Sequence, residues 1–484
     1  MNDRLSEQSA GLPPYVPPPD SIPTLPVPDL SGLTTVHLVG IGGAGMSGIA
    51  RLLLARGVSV SGSDLKDSKI LAQLRAAGAR IEVGHDPGNV GPADAVVVST
   101  AIPSDNVEVE EAHGRKIAVL ARAQVLAALM AERRGIAVAG THGKTTTTSM
   151  LAVILERGGL DPTYLVGGDL NESGSNARSG GGDLLVAEAD ESDGSFLLLQ
   201  PDVAVVTNVE EDHLDFYGGG AQVEAAFEAF SAQAQVVVGC GDDAAVRRVL
   251  RAAPRSVTYG EGEANEIRVH GVEVSAHGSR ARVRFPEGDV DVALSSPGRH
   301  YLLNAAAALA AAREVGVEPH RGARALAGFT GVRRRFERRG AVGGAEFVDD
   351  YAHHPTEIAA TLAAARSQPA RRIVAVFQPH RYTRTEAQWR PLGESLAHAD
   401  LIVLTDVYGA GEAAIPGVTG KLLVDALLER APRSRAVYLP HRADLPAFLA
   451  REIREGDLVL TLGAGDITMV GEETVGLLRE RSTR

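Results

Sequence analysis

A chain of 484 residues, 44% hydrophobic and 23% charged, is too long for one ordinary core and too apolar for a disordered chain, so about three packed domains are expected. Its formal charge of −13 argues against general nucleic-acid binding, which needs a basic surface to replace condensed counterions. A single cysteine, Cys240, excludes an internal disulfide framework and a thiolate zinc cluster and suits a reducing compartment.

The first 30 residues hold eight prolines and no apolar periodicity, which reads as an extended or disordered tail. From Thr35 a short apolar strand, a glycine turn and a helix alternate, the pattern of an α/β unit with a parallel sheet. Val36–Val39 runs into a glycine loop and then an apolar helix over Met46–Arg56; strands follow at Val58–Val60 and Ala95–Val98. A second unit opens with the strand Ile136–Ala139, a loop over Gly140–Lys144 and a helix over Thr145–Glu156, stopped by Gly158 and Gly159. Strands Leu184–Ala187 and Val203–Thr207 continue it, and Cys240 closes the apolar run that starts at Val236 as a buried strand end. Residues 255–295 alternate Val with Arg and Glu and read as antiparallel strands. A third α/β unit begins near Arg333, with buried strands at Ile373–Phe377, Leu401–Thr405 and Leu458–Leu462. The expected boundaries are therefore 1–30 for the tail, then domains over 31–133, 134–331 and 332–484. No run of about 18 apolar residues marks a membrane span, and no signal-peptide pattern opens the chain, so a cytoplasmic location is expected.

Five segments carry chemistry. Gly40-Ile41-Gly42-Gly43-Ala44-Gly45 links a strand to a helix, where glycines let backbone amides approach a phosphate. Asp64 closes the next strand, about where dinucleotide folds keep a ribose-binding acid. A nucleotide ligand or a tight structural turn both fit this loop, and it does not choose between NAD and another pyrophosphate. Gly140-Thr141-His142-Gly143-Lys144-Thr145 is a shortened phosphate loop, with Val138 where the full pattern has Gly. Lys144 can neutralise phosphate oxygens, and the hydroxyl of Thr145 or Thr146 can reach a magnesium ion. This loop favours a kinase or ligase over a nicotinamide dehydrogenase.

Glu188-Ala189-Asp190-Glu191-Ser192-Asp193 crowds four carboxylates at a strand end, which is costly without a cation and suggests magnesium, Glu188 first. Thr207–Asp215 places His213 beside carboxylates after another buried strand. Around a later linker, Gly298–Asn304, Arg333–Phe336 and Asp349–Pro355 gather a basic cluster suited to an anion. His353 and His354, as neighbours on a strand, would face opposite sides and so do not suggest a metal.

Taken together, these segments resemble the Mur ligase family, with Gln378–Thr385, Asp406–Glu412 and Leu462–Ile467 adding to the likeness from Val36 to about Ile467. The resemblance implies a three-domain α/β enzyme: an N-terminal Rossmann-like nucleotide-sugar domain, a central phosphate-loop ATPase domain with added antiparallel strands, and a C-terminal Rossmann-like domain. It further implies ATP-dependent ligation of L-alanine to the carboxylate of UDP-N-acetylmuramate through an acyl phosphate, with Mg2+, in peptidoglycan precursor synthesis. Gly42, Gly43, Ala44, Gly45, Met46, Ser63 and Asp64 would hold the UDP-sugar. Gly140, Thr141, His142, Gly143, Lys144, Thr145, Thr146, Asn304, Arg335 and Asp350 would hold ATP, and Thr145, Glu188 and His213 the metal. Lys144, Glu188, His213 and Arg335 would act in catalysis, and His353, Arg381, Arg384, Tyr408 and Glu412 would receive the amino acid. Tyr301 stands where the family commonly has Asn and is expected to stack on the base instead.

The rival readings are a recycling ligase that attaches a tripeptide to the same sugar, an NAD-dependent oxidoreductase built on the Gly40 loop, and a nucleotide-sugar sensor without catalysis. Oligomeric state is not legible.

Overall fold

The computed structural model describes residues 26–171 and 173–482. Most strands are continuous runs of Val, Ile, Leu and Ala, the signature of parallel strands buried on both faces. In the first sheet, β1 (Thr35–Val39), β2 (Ser59–Asp64), β3 (Arg80–Val83), β4 (Ala95–Val98) and β5 (Ala118–Ala121) lie in the order β3-β2-β1-β4-β5, all parallel. The order reverses between β1 and β4, so the glycine loop after β1 sits at a topological switch point, where α/β sheets bind ligands.

The second sheet comprises β6 (Arg134–Ala139), β7 (Thr163–Leu165), β8 (Ala177–Arg178), β9 (Leu184–Glu188), β10 (Val203–Val206), β11 (Val236–Cys240), β12 (Ser256–Gly260), β13 (Ile267–Ser275), β14 (Gly278–Phe285) and β15 (Gly288–Leu294). Its order is β15-β14-β13-β12-β11-β10-β6-β9-β7-β8. β6 lies between β10 and β9 and pairs parallel with both, which puts the Gly140 loop at a second switch point. One expectation needs correcting here. β12, inside the stretch read as antiparallel, pairs parallel with both β11 and β13; alternation marks one exposed face and says nothing of a partner strand's direction.

The third sheet holds β16 (Glu337–Val342), β17 (Ala345–Asp350), β18 (Arg372–Phe377), β19 (Leu401–Leu404), β20 (Ala436–Tyr438) and β21 (Asp457–Leu462) in the order β16-β17-β21-β18-β19-β20. β16 pairs antiparallel with β17 and the rest are parallel. β17 ends at Asp350, so His353 and His354 lie beyond the strand, with His354 capping the helix Pro355–Arg366. The opposite-face argument made for the two histidines does not apply.

The described residues form two compact units. One runs through Val269 with Val283–Val290 and Asn304–Leu326; the other comprises His270–Arg282, Asp291–Leu303 and the chain from Ala327. In the first unit, the helix Arg122–Ala131 buries Val125, Leu126, Leu129 and Met130 in one core with residues of both β1 and β6 sheets, among them Leu38, Ala137 and Leu185. Only residues 132–133 separate that helix from β6. Of the expected tail, residues 1–25 lie outside the described residues. Leu30 is buried, and the Pro26 carbonyl accepts a hydrogen bond from Gln124 Nε2 at 3.1 Å.

A buried polar network underlies the glycine loop. The Glu108 carboxylate, fully enclosed, accepts from Ser63 Oγ at 2.5 Å, Asn89 Nδ2 at 2.7 Å and the Asp86 amide at 3.2 Å. His37 and His85 also lie 3.4 and 3.3 Å from it. Burial alone would raise its pKa, but His37, Ser63 and Asn89 hold it down at about 2, against an ordinary 4.5. A depressed carboxylate stabilises the fold above its unfolded pKa and loses that contribution as pH falls toward its folded one. The displacement corresponds to about 3 kcal/mol. Glu108→Gln should therefore lose about 2–3 kcal/mol of stability at pH 7. Denaturation measured across pH should show the gap from the parent closing between pH 4.5 and 2.

Candidate active site

In the first unit, β6 ends in a loop built on two glycines whose backbone conformations other residues rarely adopt. Gly140 has φ +130°, and a Cβ there would fall 2.0 Å from Thr207 Oγ1; Gly143 has φ +82°, and a Cβ there would fall 2.7 Å from Asn304 Oδ1. The helix Lys144–Arg157 starts directly after Gly143. Its threonine-rich first turn is a poor helix former by propensity. Packing overrides propensity, since every residue from Thr145 to Leu155 is buried, and the hydroxyls of Thr148 and Ser149 are satisfied by the carbonyls of Lys144 and Thr145 at 2.8 and 2.7 Å.

Lys144 Nζ donates to the Gly140 carbonyl at 2.7 Å and lies 2.8 and 2.7 Å from the two oxygens of Glu191. Burial would lower the lysine pKa, but Glu191, Asp190 and Glu188 hold it above its ordinary value, so the ammonium stays charged. For Glu191, burial wins over the pull of the ammonium and pushes the carboxyl up to about 7. Thr145 Oγ1 donates to Glu188 Oε1 at 3.1 Å, and the other Glu188 oxygen accepts from the Gly167 amide at 2.8 Å. Three expected residues, Lys144, Thr145 and Glu188, thus converge at adjacent strand ends. Thr145 and Glu188 offer hard oxygen donors of the kind magnesium takes. His213 has a left-handed backbone, φ 54°, and its Nε2 lies 3.5 Å from Asp212 Oδ2. Thr146 is buried in the same helix.

The loop is braced from β10. Asn208 Oδ1 accepts from the His142 amide at 2.8 Å, and its Nδ2 donates to the His142 carbonyl at 3.0 Å. Thr207 Oγ1 donates to that carbonyl at 2.6 Å, and Thr141 Oγ1 accepts from the Glu210 amide at 2.9 Å. Sequence reasoning placed Glu191 and Asn208 inside candidate segments but gave neither a role of its own. The signal available was position: each follows a buried strand that flanks β6.

At the first switch point, Gly40 is left-handed at φ +72°, and the Ser63 carbonyl accepts from the amides of Gly40 and Ile41 at 2.9 and 3.0 Å. Asp64 Oδ2 accepts from the Gly42 amide at 2.9 Å, so this carboxylate closes the loop. Gly43 caps the helix Ala44–Ala55, which buries Met46. The Ser63 hydroxyl is committed to Glu108 and to His85 Nδ1, 3.0 Å away.

In the second unit, the remaining expected residues cluster beyond the ends of β17, β18 and β19. Asp350 accepts from the amides of Phe336 and Ala352 at 2.7 and 2.8 Å; burial raises its pKa to about 6 despite Arg335. Arg335 pairs with Glu357 at 3.3 Å and lies over the Tyr351 ring at 5.2 Å. Tyr301 is buried and packs on His300, ring centroids 4.3 Å apart. Arg381, φ 70°, pairs with Glu412 at 2.7 Å, and its amide donates to the Tyr408 carbonyl at 2.8 Å. His380 stacks on Tyr408 and meets His353 edge-on. Burial, with Arg384 nearby, drops His353 to about 3 and His380 to about 4, so both imidazoles are neutral at pH 7. Arg384 is itself buried. The result is a cluster of neutral rings and guanidinium groups, and guanidinium groups suit a small carboxylate.

Because one Asn208 side chain holds both the amide and the carbonyl of His142, Asn208→Ala should loosen the phosphate loop. Titration calorimetry with ATP is expected to show about 10-fold weaker binding or more, without global unfolding.

Comparison with known proteins is consistent with this geometry. Residues 35–134 match the model of the Mur ligase family, catalytic domain; residues 138–312 match the Mur ligase middle domain; residues 334–465 match the Mur ligase, glutamate ligase domain. The UDP-N-acetylmuramate–L-alanine ligase of Rubrobacter xylanophilus is 49% identical over 449 residues, 92% of this chain and 100% of that one. Among solved structures, the UDP-N-acetylmuramate–alanine ligase of Thermotoga maritima is 29% identical with a TM-score of 0.79, covering 93% of this chain and 100% of its own. A murein peptide ligase from Psychrobacter arcticus is 26% identical with a TM-score of 0.70, covering 92% and 98%. With three α/β domains matched in order, the chain belongs to the Mur ligase family.

Proposed function

We propose that this chain joins L-alanine to the carboxylate of UDP-N-acetylmuramate, with cleavage of ATP to ADP and phosphate, in peptidoglycan precursor synthesis. The observation that carries the chemistry is the charged Lys144 held at the end of β6, beside the Thr145–Glu188 pair. A carboxylate does not condense with an amine unaided, because its oxygen is a poor leaving group. Attack of one carboxylate oxygen on the γ-phosphorus, with departure of ADP, makes an acyl phosphate. The uncharged amine of L-alanine then adds to the acyl carbon, and the tetrahedral intermediate expels phosphate to leave the amide.

Both partners of the first step are anions, so their repulsion dominates the barrier. Lys144 would offset it at the phosphate oxygens, with the loop amides from Gly140 to Gly143 around it. Thr145, Glu188 and His213 would hold magnesium, which when bound supplies positive charge at the transferring phosphoryl group. Arg335 and Asp350 would meet the nucleotide, and Asn304, packed against Gly143, its base. Arg381 and Arg384 would grip the alanine carboxylate, with Glu412 fixing Arg381 and the neutral His353 and the Tyr408 ring bounding the acceptor.

A second reading, attachment of a tripeptide to the same sugar, is favoured by the likeness to the murein peptide ligase. The alanine reading has a full-length relative at 49% identity in its support. Among the described residues no helix is long and apolar enough to cross a membrane.

Phosphate release from ATP should require UDP-N-acetylmuramate and L-alanine together, and Lys144→Ala should cut it by about 10²–10³-fold or more while the protein stays folded. Release that depends on the tripeptide and not on L-alanine would select the recycling ligase. Near-parental turnover in Lys144→Ala would contradict the mechanism.

A further inference from the structure

The residues expected around the glycine loop contain no cation: Gly42, Gly43, Ala44, Gly45, Met46 and Ser63 are neutral, and Asp64 is acidic. A UDP-linked sugar acid brings two phosphate charges and a carboxylate. Backbone amides stabilise such an anion, but Asp64 already takes one of them, from Gly42. The site as drawn lacks its counter-charge.

Arg122 lies where that charge is needed. It is the first residue of the helix that follows β5, and its side chain reaches back to the loop. A Cβ on Gly45 would fall 2.3 Å from Arg122 Nη1 and 3.0 Å from its Cδ. Gly45 is an ordinary helical residue, absent from the left-handed set, and the guanidinium lies against the face that its missing Cβ leaves open. The helix Ala44–Ala55, whose first turn holds Gly45, has no acidic residue in that turn, and a cation there opposes the helix dipole. Its ion pair among the described residues is with Asp190, at 3.7 Å, too long for a hydrogen bond. The guanidinium side chain is 28% exposed, and its fork of N–H donors suits phosphate oxygens.

We propose that Arg122 binds the pyrophosphate of the sugar nucleotide, its guanidinium kept over the first turn of the helix by the charge of Asp190. This rests on the glycine loop being the sugar-nucleotide site. Asp190 also acts on Lys144, so the one carboxylate lies between the cation for the sugar nucleotide and the cation for ATP.

Titration calorimetry with UDP, with UDP-N-acetylmuramate and with ATP tests this on the full chain. Arg122→Ala should weaken UDP and UDP-N-acetylmuramate by the same factor, about 10–100-fold, and leave ATP affinity as in the parent. Arg122→Lys should recover part of the loss, since an ammonium keeps the charge without the fork; it also carries the test if the alanine variant does not fold. Unchanged UDP affinity in a folded Arg122→Ala overturns the proposal. A loss confined to UDP-N-acetylmuramate also overturns it, because the contact would then be to the carboxylate. An equal loss of ATP affinity would show that Arg122 merely props the acidic segment. If the parent itself fails to bind UDP, the reading of the glycine loop falls first.

Discussion

A buried ammonium must be surrounded by acceptors, and meeting that demand for Lys144 organises the first unit. The carbonyls of Gly140 and Thr141 come from the loop after β6, and Glu191 follows β9. The parallel register that pairs Val138 with Glu188 brings both strand ends level, and a slip of one residue would part them and turn each side chain to the other face. The same register sets Glu188 beside Thr145. β10, on the other flank of β6, supplies Thr207 and Asn208 to hold the loop that presents the lysine. The two strands that flank β6 thus supply the carboxylates around the charge and the side chains that brace its loop.

Crowding Glu188, Asp190, Glu191 and Asp193 into six residues would be costly on bare electrostatic grounds. The structure spreads them over separate partners. Glu191 meets Lys144, Asp190 faces Arg122, Glu188 meets Thr145 and the Gly167 amide, and Asp193 accepts from the Ser195 amide at 3.0 Å. Each cation at this segment, Lys144 and Arg122, thus meets a different carboxylate. Glu108 shows the same economy under the first sheet, where one carboxylate fixes two histidines, a serine and an asparagine beneath the loop that Ser63 and Asp64 close.

The parallel strands were legible because each is an apolar run bounded by glycine or a polar turn, and the observed ranges of β1, β4, β6, β9 and β18 differ from the reading by at most two residues at an end. The strand β12 misled because alternation reports one exposed face, not the direction of a partner. Lys144, Thr145 and Glu188 could be read from the sequence because they sit in a glycine loop and at a strand end, where local pattern carries meaning. Glu191, Asn208 and Arg122 could not be singled out, since their roles depend on which strand lies beside which. The histidines after Asp350 were misjudged because β17 stops four residues short of His354, which leaves both beyond the strand and makes His354 a helix cap.

At the centre of the account is the attack of a carboxylate oxygen on the phosphate held by Lys144. It is tested most directly by labelling both oxygens of the muramoyl carboxylate with 18O and analysing the released phosphate by mass spectrometry. Transfer of one labelled oxygen to each phosphate, with the other kept in the amide carbonyl, is the predicted result. Phosphate free of label, with ATP still consumed and amide formed, would contradict it.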